Sequence, residues 1–199
     1  MKSKKKVFIF VLICIIIFSI FYYIFCILGN NKNRNQNEIV DNILKKLENY
    51  EANVTVSVMT NKNKTIYNMK QIYNKNESKT IINSPENIKG MVIENTNNTL
   101  KITNPIINME KVYEDYDFIL NNDLFLNVFI NDYKNNSSEI HEQDNELILS
   151  IKLNNKTSTY IKYKELYLNK ETKLPLKLEM KDDSQKTKIC IIYNDIKIK

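Results

Sequence analysis

The stretch EIVDNILKKLENYEANVTVSV, Glu38 to Val58, changes its hydrophobic period in the middle. In its first half Ile39, Ile43 and Leu47 fall on one stripe, Val40 and Leu44 lie beside it, and Lys45, Lys46 and Glu48 lie opposite. That spacing is an amphipathic helix, with Asn37 placed to cap it. From Ala52 the period is two: Ala52, Val54, Val56 and Val58 alternate with Asn53, Thr55 and Ser57, which is strand. A helix that runs directly into a strand therefore opens the domain.

Alternation continues along the chain. Leu100 and Ile102 flank Lys101; Leu147, Leu149, Ile151 and Leu153 alternate with Ser150 and Lys152; Leu174, Leu176, Leu178 and Met180 alternate with Pro175, Lys177 and Glu179. Polar turn candidates fall between such runs, at residues 61–64, 74–78, 96–98, 154–156 and 181–185. Connections this short make hairpins, so the sheet is expected to be antiparallel, with one face buried and the other wet. Pro175 cannot donate to a ladder and belongs at an edge, a bulge or a strand start.

NNDLFLNVFINDY, Asn121 to Tyr133, interrupts the pattern by aligning Leu124 with Val128, Phe125 with Phe129 and Tyr133, and Leu126 with Ile130. A helix with apolar stripes around most of its circumference must be covered on several sides. Its expected place is the concave face of a curved sheet. The residues expected there are Val54, Val56, Val58, Leu176 and Leu178 from strands and Leu124, Phe125, Val128, Phe129 and Tyr133 from the helix. Two readings of this set stay open: packed core, or the lining for a lipid-sized ligand.

Val7 to Leu28 is an uncharged run of 22 residues. As a helix it is about 33 Å long, enough for a hydrocarbon core of roughly 30 Å. The expected organisation is a basic cytoplasmic stub at 1–6, a transmembrane helix at 7–28, a polar linker at 29–37 and one extracytoplasmic domain at 38–199. A cleaved signal ending near Gly29 is the alternative. Cys14 and Cys26 follow bulky residues, not the small ones that lipid attachment requires, and read as apolar members of the run. Lys2, Lys4, Lys5 and Lys6 precede it, which sets the N-terminus inside.

Those lysines carry four of the net +6 and residues 1–29 hold no acid, so the remainder is nearly balanced at +2. Lys alternates with Asp and Glu throughout, unlike the concentrated basic face of a nucleic-acid binder, so no nucleic-acid partner is expected. The chain has two glycines, which excludes a glycine-rich phosphate loop. His141, in the expected solvated turn EIHEQDNE, is the one histidine, so no site with two His ligands forms within a chain. Cys190 is expected in the core of an apolar strand. Glu114, Asp115 and Asp117 of YEDYD read as an exposed connector. No catalytic, metal or cofactor residues are assigned, and the chain is not expected to be an enzyme.

Three blocks carry a family resemblance: YEANVTV (50–56), INSPENIKGMVI (82–93) followed by LKITNP (100–105), and LYLNKETKLPLKLEMKDDSQKTKICIIYNDIKI (166–198). With the order of elements, they resemble the LolA/LolB lipoprotein-carrier fold and, within it, the GerS-related germination proteins of spore-forming clostridia. The resemblance implies an α+β fold: a LolA-like curved antiparallel half-barrel with an amphipathic N-terminal helix and an apolar helix on its concave face, here after a transmembrane helix. It implies a membrane-anchored, non-catalytic accessory role in sporulation or germination, binding a cell-wall amidase of CwlD type. A homodimer, or a carrier role for lipid or lipoprotein acyl chains, is the alternative. The implied location is the cell membrane facing outward, including the spore intermembrane space. GerS-type proteins are tethered by a lipidated cysteine, for which this chain has no matching acceptor.

Overall fold

The computed structural model describes residues 18–20, 22, 38–75, 77–96, 99–115, 124–154 and 160–199. Two compact units divide at residue 43/44. In the first, residues 38–43 begin helix α1, which is described over 38–46. Val40 and Ile43 are buried, whereas Ile39 is 47% exposed. The buried stripe is therefore Val40–Ile43–Leu44–Leu47, one residue around the helix from the stripe expected through Ile39.

The second unit, residues 44–199, holds eleven described strands: β1 (Tyr50–Met59), β2 (Lys64–Asn74), β3 (Glu77–Ser84), β4 (Val92–Thr96), β5 (Thr99–Asn104), β6 (Met109–Tyr113), β7 (Ser137–Gln143), β8 (Glu146–Lys152), β9 (Tyr163–Asn169), β10 (Pro175–Lys181) and β11 (Thr187–Ile198). They form one sheet in the order β6-β5-β4-β3-β2-β1-β11-β10-β9-β8-β7, and every pairing is antiparallel. Two hairpin meanders thus lie side by side, joined where the first strand pairs with the last. Between β6 and β7 comes helix α2 (Leu126–Asn135).

The register lines up one buried row after another. Ile82, Met69, Val54 and Tyr193 are successive partners across β3, β2, β1 and β11, and Val56, Ile191, Leu178, Leu166 and Leu149 are successive partners from β1 to β8. All are buried. Two bulges keep imperfect alternation on this face. Between Asn53 and Val54 the register of β1 against β11 slips by one, so that Asn194 is extra and Ile196 and Ile198 still fall opposite Ala52 and Tyr50. Between Pro175 and Lys177 the slip makes Leu176 the extra residue, while buried Pro175 opens β10 opposite Leu168. Leu176, expected on the row of Leu178, is half-buried at the bulge.

Helix α2 rests on this buried face and is fastened at both ends by polar groups. At its start the Leu126 N–H, an unsatisfied helix-end donor, donates to the Tyr50 hydroxyl at 3.4 Å, and Tyr50 donates to Gln71 Oε1 at 3.3 Å. Gln71 Nε2 then donates to the Leu124 carbonyl at 3.1 Å. Near its end, Lys164 of β9 donates to Asp132 at 2.6 Å, with the two side chains 2% and 10% exposed. Between these points Phe125 and Phe129 are fully buried. The rings of Tyr50, Tyr73 and Phe125 follow one another at centroid distances of 5.9 and 5.8 Å.

The expected fold class needs correction. Among the described residues no helix is long and apolar enough to cross a membrane. α2, at 10 residues, is about 15 Å long, half of a hydrocarbon core of roughly 30 Å. The described chain is mostly one large antiparallel sheet, and a transmembrane helix is no part of its fold class. Most of the run Val7–Leu28, with Cys14 and Cys26, lies outside the described residues, as do the linker to residue 37, the Asn37 cap and residues 121–123 of the expected helix.

Truncating Phe129 to Ala should cost about 3–5 kcal/mol, the range for a fully buried aromatic ring, read as a lowered midpoint in urea unfolding. Lys164→Met should cost about 3–5 kcal/mol because it strands the buried Asp132 carboxylate. The pair Lys164→Met with Asp132→Leu should recover most of that loss, since replacing both charges by apolar groups is often neutral. A double variant as unstable as the single one would mean the damage lies in packing.

Candidate functional site

The residues expected to line the inner face separate into three groups. Val54, Val56, Phe125, Val128, Phe129 and Leu178 are buried. Leu124 and Tyr133 flank or end α2 half-buried, the Tyr133 ring 6.1 Å from that of Phe129. Val58 and Leu176 are half-buried, near the end of β1 and at the β10 bulge. Polar residues that no sequence pattern singled out join them: Gln71, Asp132 and Lys164 are buried on the same face. The only sequence signal was a polar residue inside an otherwise apolar run, as with Asp132 after LFLNVFIN.

The opposite face is charged. Lys181 meets Glu165 at 2.6 Å and Glu179 at 3.6 Å, Lys177 meets Glu179 at 2.8 Å, and the Tyr167 hydroxyl donates to Glu165 at 2.6 Å. Lys177 also sits 3.9 Å above the Tyr167 ring. Burial opposes ionisation of Glu165, yet the hydrogen bonds from Lys181 and Tyr167 outweigh it and hold its pKa below the usual value. Cys190, expected in the core, is half-buried on this charged face, opposite Ser57 and Glu179. Burial, then the charge of Glu179, pushes its thiol up, away from nucleophilic thiolate chemistry. Sequence alternation missed this because Ile189, Cys190, Ile191 and Ile192 are a continuous apolar run, in which either parity reads as core.

His141, expected in a turn, lies in the middle of β7, exposed and 3.2 Å from Glu139; the turn comes at Asp144, with φ of 51°. Glu114 and Asp115 are exposed, and Asp117 lies outside the described residues. Among the described residues no group of three or more His, Cys, Asp or Glu side chains is placed to hold a metal ion.

The block INSPENIKGMVI forms the end of β3, a 3-10 turn at Glu86–Ile88 and the start of β4. Gly90 follows that turn, with φ of +79°, a backbone region that disfavours side chains. A Cβ there would stand 3.0 Å from Ile106 Cδ1, so this loop touches the turn between β5 and β6. Ile106 and Ile107 at that turn are 69% and 65% exposed, and Val112, further along β6 and opposite Lys101, is exposed too. The described surface therefore carries two adjacent exposed apolar side chains, Ile106 and Ile107, at the turn that leads into the end strand β6.

Because the pKa of Glu165 is depressed in the fold, its contribution to stability is complete above the unfolded carboxylate value of about 4.3 and is lost as pH falls through its lower folded value. Glu165→Gln should flatten the acid limb of a stability–pH curve measured between about pH 5 and pH 2.

Among curated proteins none matches this chain. In solved structures it is similar to the GerS lipoprotein of Clostridioides difficile, determined in complex with the CwlD amidase: 24% identity over 82% of this chain and 95% of that one, TM-score 0.52. It is similar also to an uncharacterized conserved protein from Thermus thermophilus, with 13% identity over 83% of this chain and 88% of that one, TM-score 0.54. A LolA superfamily protein from Nitrosomonas europaea matches at 15% identity over 80% of this chain and 93% of that one, TM-score 0.39. The first two likenesses are of fold. The model of the sporulation protein YdcC-like family matches residues 4–199, and the chain belongs to that family.

Proposed function

We propose that the sheet domain works outside the cytoplasm as a non-catalytic accessory that binds a cell-wall amidase of CwlD type. The observation that carries this reading is a sporulation-family chain with the fold of GerS, a protein solved in complex with that amidase. The packing supports it. Phe125 and Phe129 fill the space between α2 and the sheet with the chain's own rings, where a carrier needs room for an acyl chain. The apolar turn of Ile106 and Ile107 leads into β6 at an end of the sheet, where a partner can both bury apolar surface and pair with a strand.

A stable complex buries on the order of 1,200–2,000 Å² in total. The full chain should co-purify with the amidase of the same organism, without stoichiometric lipid in organic extracts. Ile106→Asp with Ile107→Asp should weaken that association while leaving the melting temperature near the parent's, since both side chains are exposed. Failure to associate would overturn the reading, and stoichiometric acyl lipid in the same preparation would put the carrier in its place.

A further inference from the structure

The turn between β5 and β6, Asn104-Pro105-Ile106-Ile107-Asn108, carries no charge, in a chain of which 26% of residues are charged. Its backbone is fixed from within. Asn104 is buried and its Oδ1 accepts the Ile106 N–H at 3.0 Å. Pro105 restricts φ, Asn108 takes up a left-handed conformation with φ of 50°, and Asn104 and Met109 close the ladder as strand partners. Ile106 and Ile107 are nevertheless the two most exposed large apolar side chains among the described residues of the sheet unit. Single exposed apolar residues are ordinary. Two adjacent ones on a fixed turn need little further ordering when a partner covers them, which favours association.

The direction of the Ile106 side chain is set by a different loop. A Cβ on Gly90 would stand 3.0 Å from Ile106 Cδ1 and 3.3 Å from its Cγ1, so the isoleucine lies where only a glycine leaves room. Gly90 cannot withdraw. Its N–H donates to the Ile82 carbonyl at 2.9 Å, the Ile82 N–H donates to the Met91 carbonyl at 2.9 Å, and the Met91 N–H donates to the Ile88 carbonyl at 3.1 Å. Any side chain added at Gly90 must therefore be accommodated by Ile106. Most of Ile106 is in water, so it can turn to another rotamer at small cost to the fold. The result is a displaced side chain on an intact loop.

We propose that Ile106 and Ile107 enter an apolar pocket of the amidase as a preset anchor, and that Gly90 is the positioning residue that aims Ile106 into it. The inference rests on the amidase reading above and names the contact through which it works. An uncharged turn suits an apolar pocket because it brings no charge to desolvate. An apolar anchor seated in a pocket is also where the energy of an interface concentrates.

The test is calorimetric titration of the full chain with the amidase of the same organism, each variant's melting temperature being read alongside. Ile106→Ala should weaken association about fivefold or more. Gly90→Ala and Gly90→Asn add the same Cβ beside Ile106, but Asn tolerates a positive φ better than Ala. Both should weaken association by a similar factor, about three- to tenfold, although Gly90→Ala melts lower. Combined with Ile106→Ala, either Gly90 substitution should cause no further loss of affinity, because the side chain it displaces is gone. A Gly90 with a merely structural role would keep its effect in that background. Parental affinity in Gly90→Asn overturns the proposal, as does a loss that follows melting temperature or that persists with Ile106→Ala. If the parent chain itself does not bind the amidase, the amidase reading falls and this inference with it; if the parent binds and Gly90→Asn binds equally well, this inference alone falls.

Discussion

Helix α2 is held to the sheet by a buried charge at one end and a buried hydroxyl–amide relay at the other. Lys164 and Asp132 meet at 2.6 Å with almost no exposure, and a pair so desolvated is costly to break from either side. Tyr50 and Gln71 do the corresponding work at the start of the helix, where Tyr50, 76 residues away in sequence, accepts the Leu126 N–H. The two anchors lie on different halves of the sheet, β1–β2 and β9. Apolar packing alone is non-directional and would allow α2 to slide or rotate. Hydrogen bonds are directional, and these buried ones give it one position.

That position leaves the two faces with different work. The inner face is filled by the domain's own rings, and the outer face is covered by Lys and Glu at alternating register positions, with Glu165 and Glu179 directly opposite each other and held by Lys177 and Lys181. Exposed apolar side chains are found instead at the margin, at the turn between β5 and β6 that meets Gly90. A scaffold whose centre is packed and whose margins carry the distinctive chemistry suits a protein that acts by holding another molecule.

Several parts of this arrangement were legible residue by residue. Ala52, Val54 and Val56 alternate and are buried; Leu147, Leu149 and Ile151 likewise. The helix in LFLNVFIN was visible because three apolar stripes on one turn period have no strand interpretation. Leu176 and Cys190 were misplaced for one physical reason: alternation predicts a face only while the register is unbroken and apolar and polar residues differ. At Leu176 a bulge inserts a residue, and around Cys190 every neighbour is apolar, so parity carries no information there. His141 was drawn into a turn because its charged surroundings resemble one, although an exposed strand can be equally polar on both sides.

By itself the sequence determined the local periods and the hairpin connections that make the sheet antiparallel. These depend on neighbours a few positions apart. Only the tertiary structure decided that β1 and β11 pair at the middle of the sheet, that Asp132 finds Lys164, that Tyr50 caps α2, and that Gly90 meets Ile106. Such contacts join residues separated by up to the length of the domain. Which distant pair forms depends on the summed packing of all strands at once, and no short stretch of the chain contains that information.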